Sequence, residues 1–213
     1  MIGDTHFPAV KEGYLEFVKG VKKEYKCDTV VHIGDVIDHH CISFHNKHPD
    51  HPGAISEYKQ AVECIKEWKV AFKDMIVTVG NHDERVRRIA GDAGIPDFYL
   101  RTYNEIYNTP WKWVKNTTID NVFYYHGMGG SGMYPAFNTA KAMGISVVAG
   151  HHHSCGGINW LVSPMNAIFG MNVGSGVDRH HLAMKYGEDH NKKPVISCGV
   201  VINGSPYLEL MPL

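Results

Sequence analysis

The sequence lacks an excess of either charge, with 21 Lys and Arg residues against 22 Asp and Glu residues. A protein that grips long nucleic acids usually carries a basic excess, because neutralisation of phosphates dominates that affinity. No apolar run approaches the ~20 residues of a membrane-spanning helix, and the first six residues lack the basic start and apolar core of a secretory signal. We therefore expect a cytoplasmic protein with no membrane partner.

Paired cysteines are also missing. The five cysteines are scattered and form no CxxC pair, so neither a disulfide framework nor a thiolate zinc site is predicted. With 44% apolar residues in 213 positions, the chain can bury a substantial core, and we expect one domain over residues 1–213. Histidine, in contrast, is abundant at 15 residues, and it is the commonest metal ligand.

Short apolar runs rich in β-branched or aromatic residues predict strands that are buried on both faces, at residues 29–33, 75–79, 122–125 and 145–149. Helical periodicity predicts amphipathic helices over residues 10–21 and 58–72, the second with Ser56 as its N-cap. Further strands are expected at residues 195–202 and 207–210, and surface loops at residues 39–53 and 100–120. This alternation indicates a layered α/β fold.

Residues that bind metals follow each of the four predicted strands. Asp35, Asn81, His126 and His151 occupy these positions, and Asp4 follows the short start of the chain in the same way. Glycines precede most of them, which allows the chain to turn sharply and approach an ion. Because ligands of α/β sheets bind beyond the carboxyl ends of the strands, we expect these side chains to meet in one crevice.

The motifs DxH, GDxxD, GNHD, HG and GHxH occur in this order over residues 4–153. Together they resemble the signature of calcineurin-like metallophosphoesterases, and the NVGS sequence at residues 172–175 is similar to a turn of that family. Residues 41–53, 81–100 and 171–179 are similar to compact members encoded by phages and prophages. The resemblance implies a four-layer α/β/β/α sandwich without a large cap domain.

The resemblance also implies a role for each matching residue. One metal ion would be held by Asp4, His6 and His153, and a second by Asn81, His126 and His151, with Asp35 bridging both. His82 would be the catalytic histidine, oriented by Asp38. Carboxylate, imidazole and amide ligands suit two Mn²⁺ ions, with Fe, Zn, Ni or Co as alternatives.

The implied reaction is hydrolysis of a phosphodiester by a hydroxide that bridges the two ions, with His82 protonating the leaving group. The substrate would be a phosphate ester, with nucleotides and nucleic acids among the candidates. A phosphomonoesterase and a DNA nuclease are the alternatives on the same site. A non-catalytic scaffold is less favoured, because His82 and all proposed ligands are present.

Several histidines lie outside these roles. His39 and His40 either touch substrate at the rim of the site or are solvated loop residues. We interpret His45, His48 and His51 as surface residues, and a third metal ion there is the less favoured alternative. His152 is interpreted as a packing residue or as a support for the site residues, and no role is assigned to His180, His181 or His190.

Three arginines follow GNHD on a predicted helix: Arg85, Arg87 and Arg88. They either bind a second phosphate or a nucleic acid backbone, or form an exposed helix face beside Glu84, which is the interpretation we prefer. Arg179 presents the same two alternatives.

Overall fold

The computed structural model describes residues 1–44, 48–187 and 191–212, so His45 and His190 lie outside the described residues. The helices are Tyr14–Glu24 (α1), Ala54–Ala71 (α2), Arg85–Asp92 (α3), Tyr103–Tyr107 (α4) and Pro135–Met143 (α5). The first strands are Val30–His32 (β1), Met75–Thr78 (β2), Lys112–Val114 (β3), Asn116–Ile119 (β4) and Val122–Tyr125 (β5). The later strands are Ser146–Ala149 (β6), Gly156–Val162 (β7), Ala167–Val173 (β8), Ser197–Ile202 (β9) and Ser205–Leu210 (β10).

The first sheet is centred on the start of the chain. Strands β1, β2 and β3 pair in parallel, in that order, and β9 and β10 form an antiparallel pair. Ile2 joins the two parts, because it bridges His32 in parallel and Cys198 in antiparallel orientation. The chain that leads into Asp4 therefore runs beside β1.

The second sheet has the strand order β4-β5-β6-β8-β7. Its three central strands, β5, β6 and β8, are parallel, and the two edge strands are antiparallel to their neighbours. Parallel strands end at the same edge of a sheet, so the residues after β5 and β6 emerge side by side.

The two sheets pack face to face between layers of helices. Val31 alternates away from Val30 and packs between the sheets with Phe169 and Met171, because successive strand residues point to opposite faces. Helices α1 and α2 cover the other face of the first sheet, where Trp68 packs in the cluster that contains Val30. Helix α5 lies on the second sheet at its inner strands β6 and β8. The fold is the expected four-layer α/β/β/α sandwich, and no large cap occurs in the described residues.

The two predicted helices are present, but their starts differ. Helix α1 begins at Tyr14, because Gly13 has a left-handed conformation (φ 79°). Helix α2 begins at Ala54 with Gly53 as its N-cap, so the assignment of Ser56 to the cap was wrong. The backbone is extended at Gly53 and becomes helical directly after it, which places Ser56 in the first turn.

The prediction of a surface loop over residues 100–120 was wrong for most of that segment. It contains α4, β3 and β4, and β3 pairs with β2 at the edge of the first sheet. Trp111 is buried, and its indole N–H donates to the carbonyl oxygen of Phe72 at 2.8 Å. A large apolar ring with one satisfied N–H holds this segment against the core.

Among the described helices, none is both long and apolar enough to cross a membrane.

Candidate metal centre

The ends of parallel strands from both sheets meet at one edge of the sandwich. Asp35 follows β1 and Asn81 follows β2 in the first sheet, whereas His126 follows β5 and His151 follows β6 in the second. Asp4 lies beside them, since it pairs with Ser175 just after β8. Five separate segments therefore deliver polar side chains to one place, as the strand-end motifs predicted.

Glycine is required at two of these strand ends by close contacts with carboxylates. A Cβ atom on Gly80 would lie 2.1 Å from Oδ1 of Asp35. A Cβ atom on Gly150 would lie 2.3 Å from Oδ1 of Asp4. Only a residue without a side chain allows the backbone to come this close to the two acids.

Three of the residues implied as ligands have left-handed backbone conformations, with φ of 47° at His6, 50° at Asp35 and 66° at His151. Residues other than glycine rarely adopt this region, and such conformations cluster at functional sites. The surrounding structure holds them there: the N–H of His6 donates to the carbonyl of Asp35, and the N–H of His151 donates to Oδ2 of Asp4 at 2.9 Å.

A first group of ligand atoms comes from Asp4, His6 and His153. Nε2 of His153 lies 3.1 Å from Oδ2 of Asp4 and 3.1 Å from Nε2 of His6. The remaining oxygen of Asp4, Oδ1, is buried and has no hydrogen-bond partner among the described residues. Buried carboxylate oxygens are rarely left without a partner, so this group has an unused acceptor.

A second group of ligand atoms surrounds His126. Its Nε2 lies 3.0 Å from Oδ1 of Asn81, 3.2 Å from Nδ1 of His151 and 3.2 Å from Oδ2 of Asp35. The same carboxylate oxygen of Asp35 lies 3.6 Å from Nε2 of His6 in the first group. Asp35 thus stands between the two groups.

The hydrogen bonds of two histidine rings show which ring nitrogen is left to bind a metal ion. Nδ1 of His6 donates to Oδ1 of Asp38 at 2.8 Å, and Nδ1 of His126 donates to the carbonyl of Ile33 at 2.7 Å. Nε2 of each ring therefore faces the centre, where it offers a lone pair to a cation that displaces any proton on it. Carboxylates or carbonyls on the outer nitrogen orient metal-binding histidines in this way. The donor set fits divalent cations.

The electrostatics of the site favour positive charge. Burial alone would raise the pKa of Asp35, but the neighbouring histidines, first of all His126, hold this pKa well below its usual value. Burial opposes a charge on His126, yet Asp35 outweighs it and raises the pKa of His126 to about 10. Each group stabilises the charge of the other, as expected for an acidic site that attracts cations.

His82 lies beside both groups at the floor of an open cleft. Its Nδ1 is 2.7 Å from the carbonyl oxygen of Asp38 and 3.1 Å from Oδ1 of the same residue. Its backbone N–H donates to Oδ1 of Asp35 at 2.8 Å. Burial lowers the pKa of His82, but Asp35 and Asp38 raise it more, so the net shift is upward.

Arg85 was assigned to an exposed helix face, and this interpretation was wrong. Its side chain is buried, and Nη1 donates to the carbonyls of Asp38 and His39 at 2.9 Å and 2.8 Å. Its Nη2 lies 3.2 Å from Nε2 of His82. The guanidinium turns inward because these two backbone carbonyls accept its N–H groups, which keeps the buried charge hydrogen-bonded. Arg88 is on the exposed side of the same helix, as predicted.

Asp83, the last residue of GNHD, was given no role in the sequence analysis. Its carboxylate accepts hydrogen bonds from the backbone N–H groups of Asp35, Val36 and Gly80, at 2.9, 3.0 and 2.9 Å. Burial, and next the charge of Asp35, raises the pKa of Asp83 to about 7. Asp83 ties the turn after β1 to the turn after β2. Its position in the motif was the only signal that could have shown this.

The remaining histidines differ from the predictions in part. His40 is buried, so the interpretation as a solvated loop residue was wrong for it. His39 is half-buried, and its Nε2 lies 3.0 Å from the hydroxyl of Tyr107. His51 is half-buried rather than exposed, whereas His152 packs as expected, with Nε2 3.1 Å from the carbonyl of Gly130.

A cleft of about 740 Å³ opens over the site. Asp35, Asn81, His82, His151 and His153 line its floor. One wall carries basic side chains from the segment after β8: Arg179, His180, Lys185, Lys192 and Lys193. A chain without net basic charge thus has a positive wall beside the site.

A family model matches most of the chain. The family model described as calcineurin-like phosphoesterase matches residues 1–166, which include both groups of ligand atoms and His82. No curated protein matches the chain. The likeness to phage proteins and the cytoplasmic location stay predictions.

Proposed function

Because the chain belongs to the calcineurin-like phosphoesterase family, we propose that it is a metal-dependent hydrolase that cleaves phosphodiester bonds at a site for two ions. Membership of the family supports phosphoester hydrolysis that depends on divalent metals. One observation carries the proposal of two ions: Oδ2 of Asp35 lies within 3.6 Å of His6 and 3.2 Å of His126, one from each group of ligand atoms. A carboxylate in this position can bridge two cations.

The proposed ligands are those implied by the sequence. Asp4, His6 and His153 would hold one ion; Asn81, His126 and His151 would hold the other; Asp35 would touch both. These ligands include oxygen and nitrogen but no thiolate, which supports Mn²⁺, with Fe, Zn, Ni or Co as alternatives. Bound divalent ions would clamp phosphoryl oxygens and activate a bridging water.

Protein side chains would then donate a proton to the leaving oxygen and orient the residue that donates it. His82 is placed to protonate the leaving oxygen, because it faces the cleft and the carboxylates of Asp35 and Asp38 raise its pKa. Asp38 contacts His6 through Oδ1 and orients His82 through its carbonyl. Arg85 fixes the same carbonyl and lies beside Nε2 of His82. Asp38 and Arg85 are therefore positioning residues.

The shape and charge of the cleft support a diester of a nucleotide or nucleic acid as the substrate. A cleft of about 740 Å³ has room for groups on both sides of the scissile phosphate. The basic wall at Arg179, Lys185 and Lys192 would attract further phosphates of such a substrate. The same wall keeps a DNA nuclease as the second candidate function.

The experiment compares hydrolysis of bis-(p-nitrophenyl) phosphate and p-nitrophenyl phosphate by Mn²⁺-loaded protein. We expect the diester to be cleaved with the higher kcat/KM. Faster cleavage of the monoester would make the protein a phosphomonoesterase. Cleavage of neither, with metal bound, would favour a non-catalytic scaffold.

A further inference from the structure

A second kind of metal-binding cluster lies outside the main site, where the segment after Asp38 returns to helix α2. Its members are Cys41, His51 and Glu57, and their ligand atoms lie within 4.8 Å of one another. Cys41 belongs to a short 3-10 helix, His51 lies just before α2, and Glu57 lies in the first turn of α2. We propose that these three residues form a separate site for a thiophilic divalent cation of the zinc class.

The separation of the donor atoms of Cys41 and His51 suits a tetrahedral ion. Sγ of Cys41 lies 3.7 Å from Nδ1 of His51. In a tetrahedral site with Zn–S of about 2.3 Å and Zn–N of about 2.0 Å, the two ligand atoms are separated by roughly 3.5 Å. The observed separation therefore needs a change of only a few tenths of an ångström. Water would take the fourth position.

Two of the atoms that would bind the cation carry protons in this structure. The thiol of Cys41 and Nδ1–H of His51 both donate to the carbonyl oxygen of Pro52, each at 2.9 Å. Binding of a cation would release the thiol proton to solvent, because zinc binds the thiolate, and the ring proton of neutral His51 would move from Nδ1 to Nε2. The affinity would therefore increase with pH.

The carboxylate of Glu57 supplies a buried negative charge. Glu57 is only 3% exposed, and its oxygens accept from the backbone N–H groups of His40 and Cys41 at 2.7 Å and 3.2 Å. Within the described residues it forms no ion pair with Lys, Arg or His. The groups that donate hydrogen bonds to this carboxylate are neutral, so a cation beside it would compensate its charge at close range.

Unused polar atoms around the cluster are an independent observation. His40 is 2% exposed, its ring centroid lies 4.4 Å from that of His51, and Nε2 of each ring is buried without a hydrogen-bond partner among the described residues. Buried imidazole nitrogens normally have partners. These rings form a polar interior in which an ion with bound water would be accommodated.

Such an ion would stabilise the proposed catalytic site, because one of its ligands is close in sequence to a residue of that site. Cys41 is three positions after Asp38, which contacts both His6 and His82. By joining Cys41 to helix α2, the ion would hold this segment in place. Cysteine spacing could not predict the site, because its members are 10 and 6 positions apart and meet only after the segment folds back.

Titration with Co²⁺ tests the proposal, because a thiolate bound to Co²⁺ gives an intense charge-transfer band in the near ultraviolet. The proposed main site has no cysteine, so the band reports only a thiolate site. We expect the wild type and Asp35→Asn to show the band, and Cys41→Ala and His51→Leu to lose it along with one bound ion per chain. Cys64→Ala, on α2 but outside the cluster, is the control and should keep it.

A wild type that binds Co²⁺ without the band would overturn the proposal, as would a band that survives Cys41→Ala. Circular dichroism establishes whether the variants are folded. If Cys41→Ala does not fold, alkylation of the wild type decides the question. Zn²⁺ should protect Cys41, but not Cys64, from iodoacetamide at least tenfold, and equal labelling with and without Zn²⁺ would contradict the site.

Discussion

Nη2 of Arg85 lies 3.2 Å from Nε2 of His82. A guanidinium has no acceptor, so this hydrogen bond exists only while Nε2 carries no proton. When Nε2 is protonated, as proton donation to a leaving group requires, the two N–H groups repel each other. The charge of Arg85 thus lowers the pKa of His82, against the larger upward effect of Asp35 and Asp38.

Removal of the Arg85 guanidinium should therefore impair turnover more than metal binding. We expect Arg85→Met to lower kcat about tenfold, equivalent to about 1.4 kcal/mol in the barrier, with unchanged metal content. Arg85→Lys should fall between this variant and the wild type, because it retains the charge and one donor. The exposed Arg101 provides the control: an equal loss in Arg101→Met, or loss of metal from Arg85→Met, would refute a positioning role.

Substitution of His82 and of Asp35 should separate proton transfer from metal binding. His82→Ala should keep both ions and lose about 10²–10⁴-fold in kcat, the typical contribution of a general acid. Asp35→Ala should lose metal, because it removes the carboxylate that both groups share. Metal analysis of dialysed protein beside steady-state kinetics measures the two effects, and equal metal loss in both variants would contradict this division.

A single methyl group at Gly80 should disrupt the site. The added Cβ would lie 2.1 Å from Oδ1 of Asp35, a distance that forces the carboxylate to move. We expect Gly80→Ala to bind at least tenfold less metal at a limiting concentration. Gly91→Ala in helix α3 is the control, because nothing lies within 4 Å of its added Cβ. Alanine there should raise the free energy of unfolding by up to ~1 kcal/mol.

Acid should destabilise the metal-free protein partly through His32. Its Nδ1 accepts from the N–H of Gly34, its Nε2 donates to Oγ1 of Thr5, and burial lowers its pKa to about 3. The unfolded chain takes up this proton near its usual pKa of 6.5, whereas the folded chain does not. The unfolded state therefore binds more protons between these values, and stability falls as the pH falls.

The loss attributable to His32 should approach ~1.4 kcal/mol per pH unit at most. His32→Gln should show a shallower decline of the free energy of unfolding between about pH 6.5 and pH 4.5. Urea denaturation in the presence of a chelator, at several pH values, measures both slopes. The pH dependence of the free energy of unfolding is compared, and not its absolute value, because the variant also loses hydrogen bonds and is less stable at every pH. Parallel slopes would mean that His32 does not cause the acid sensitivity.

The sequence alone determined strands β1, β2, β5 and β6 and the motifs that follow them. Runs such as residues 75–79 contain mostly residues that favour a buried strand, and a glycine with a polar residue marks the point where each run ends. Both signals are local, so they can be identified without knowing what packs against them. Strand β7 was missed: its second half favours a strand, but Gly156 and Gly157 at its start do not, and its pairing depends on β8.

Only the tertiary structure decided how the site residues meet and which residues support them. His6 and His153 are 147 positions apart, yet their Nε2 atoms lie 3.1 Å from each other. Arg85 is oriented by the carbonyl of Asp38, 47 positions away, and not by the polarity of its helix. That residues 1–213 form one domain stays a prediction, supported by Ile2, which joins β1 to β9. Local sequence sets where a chain turns, whereas burial and hydrogen-bond acceptors from distant segments decide where a side chain points.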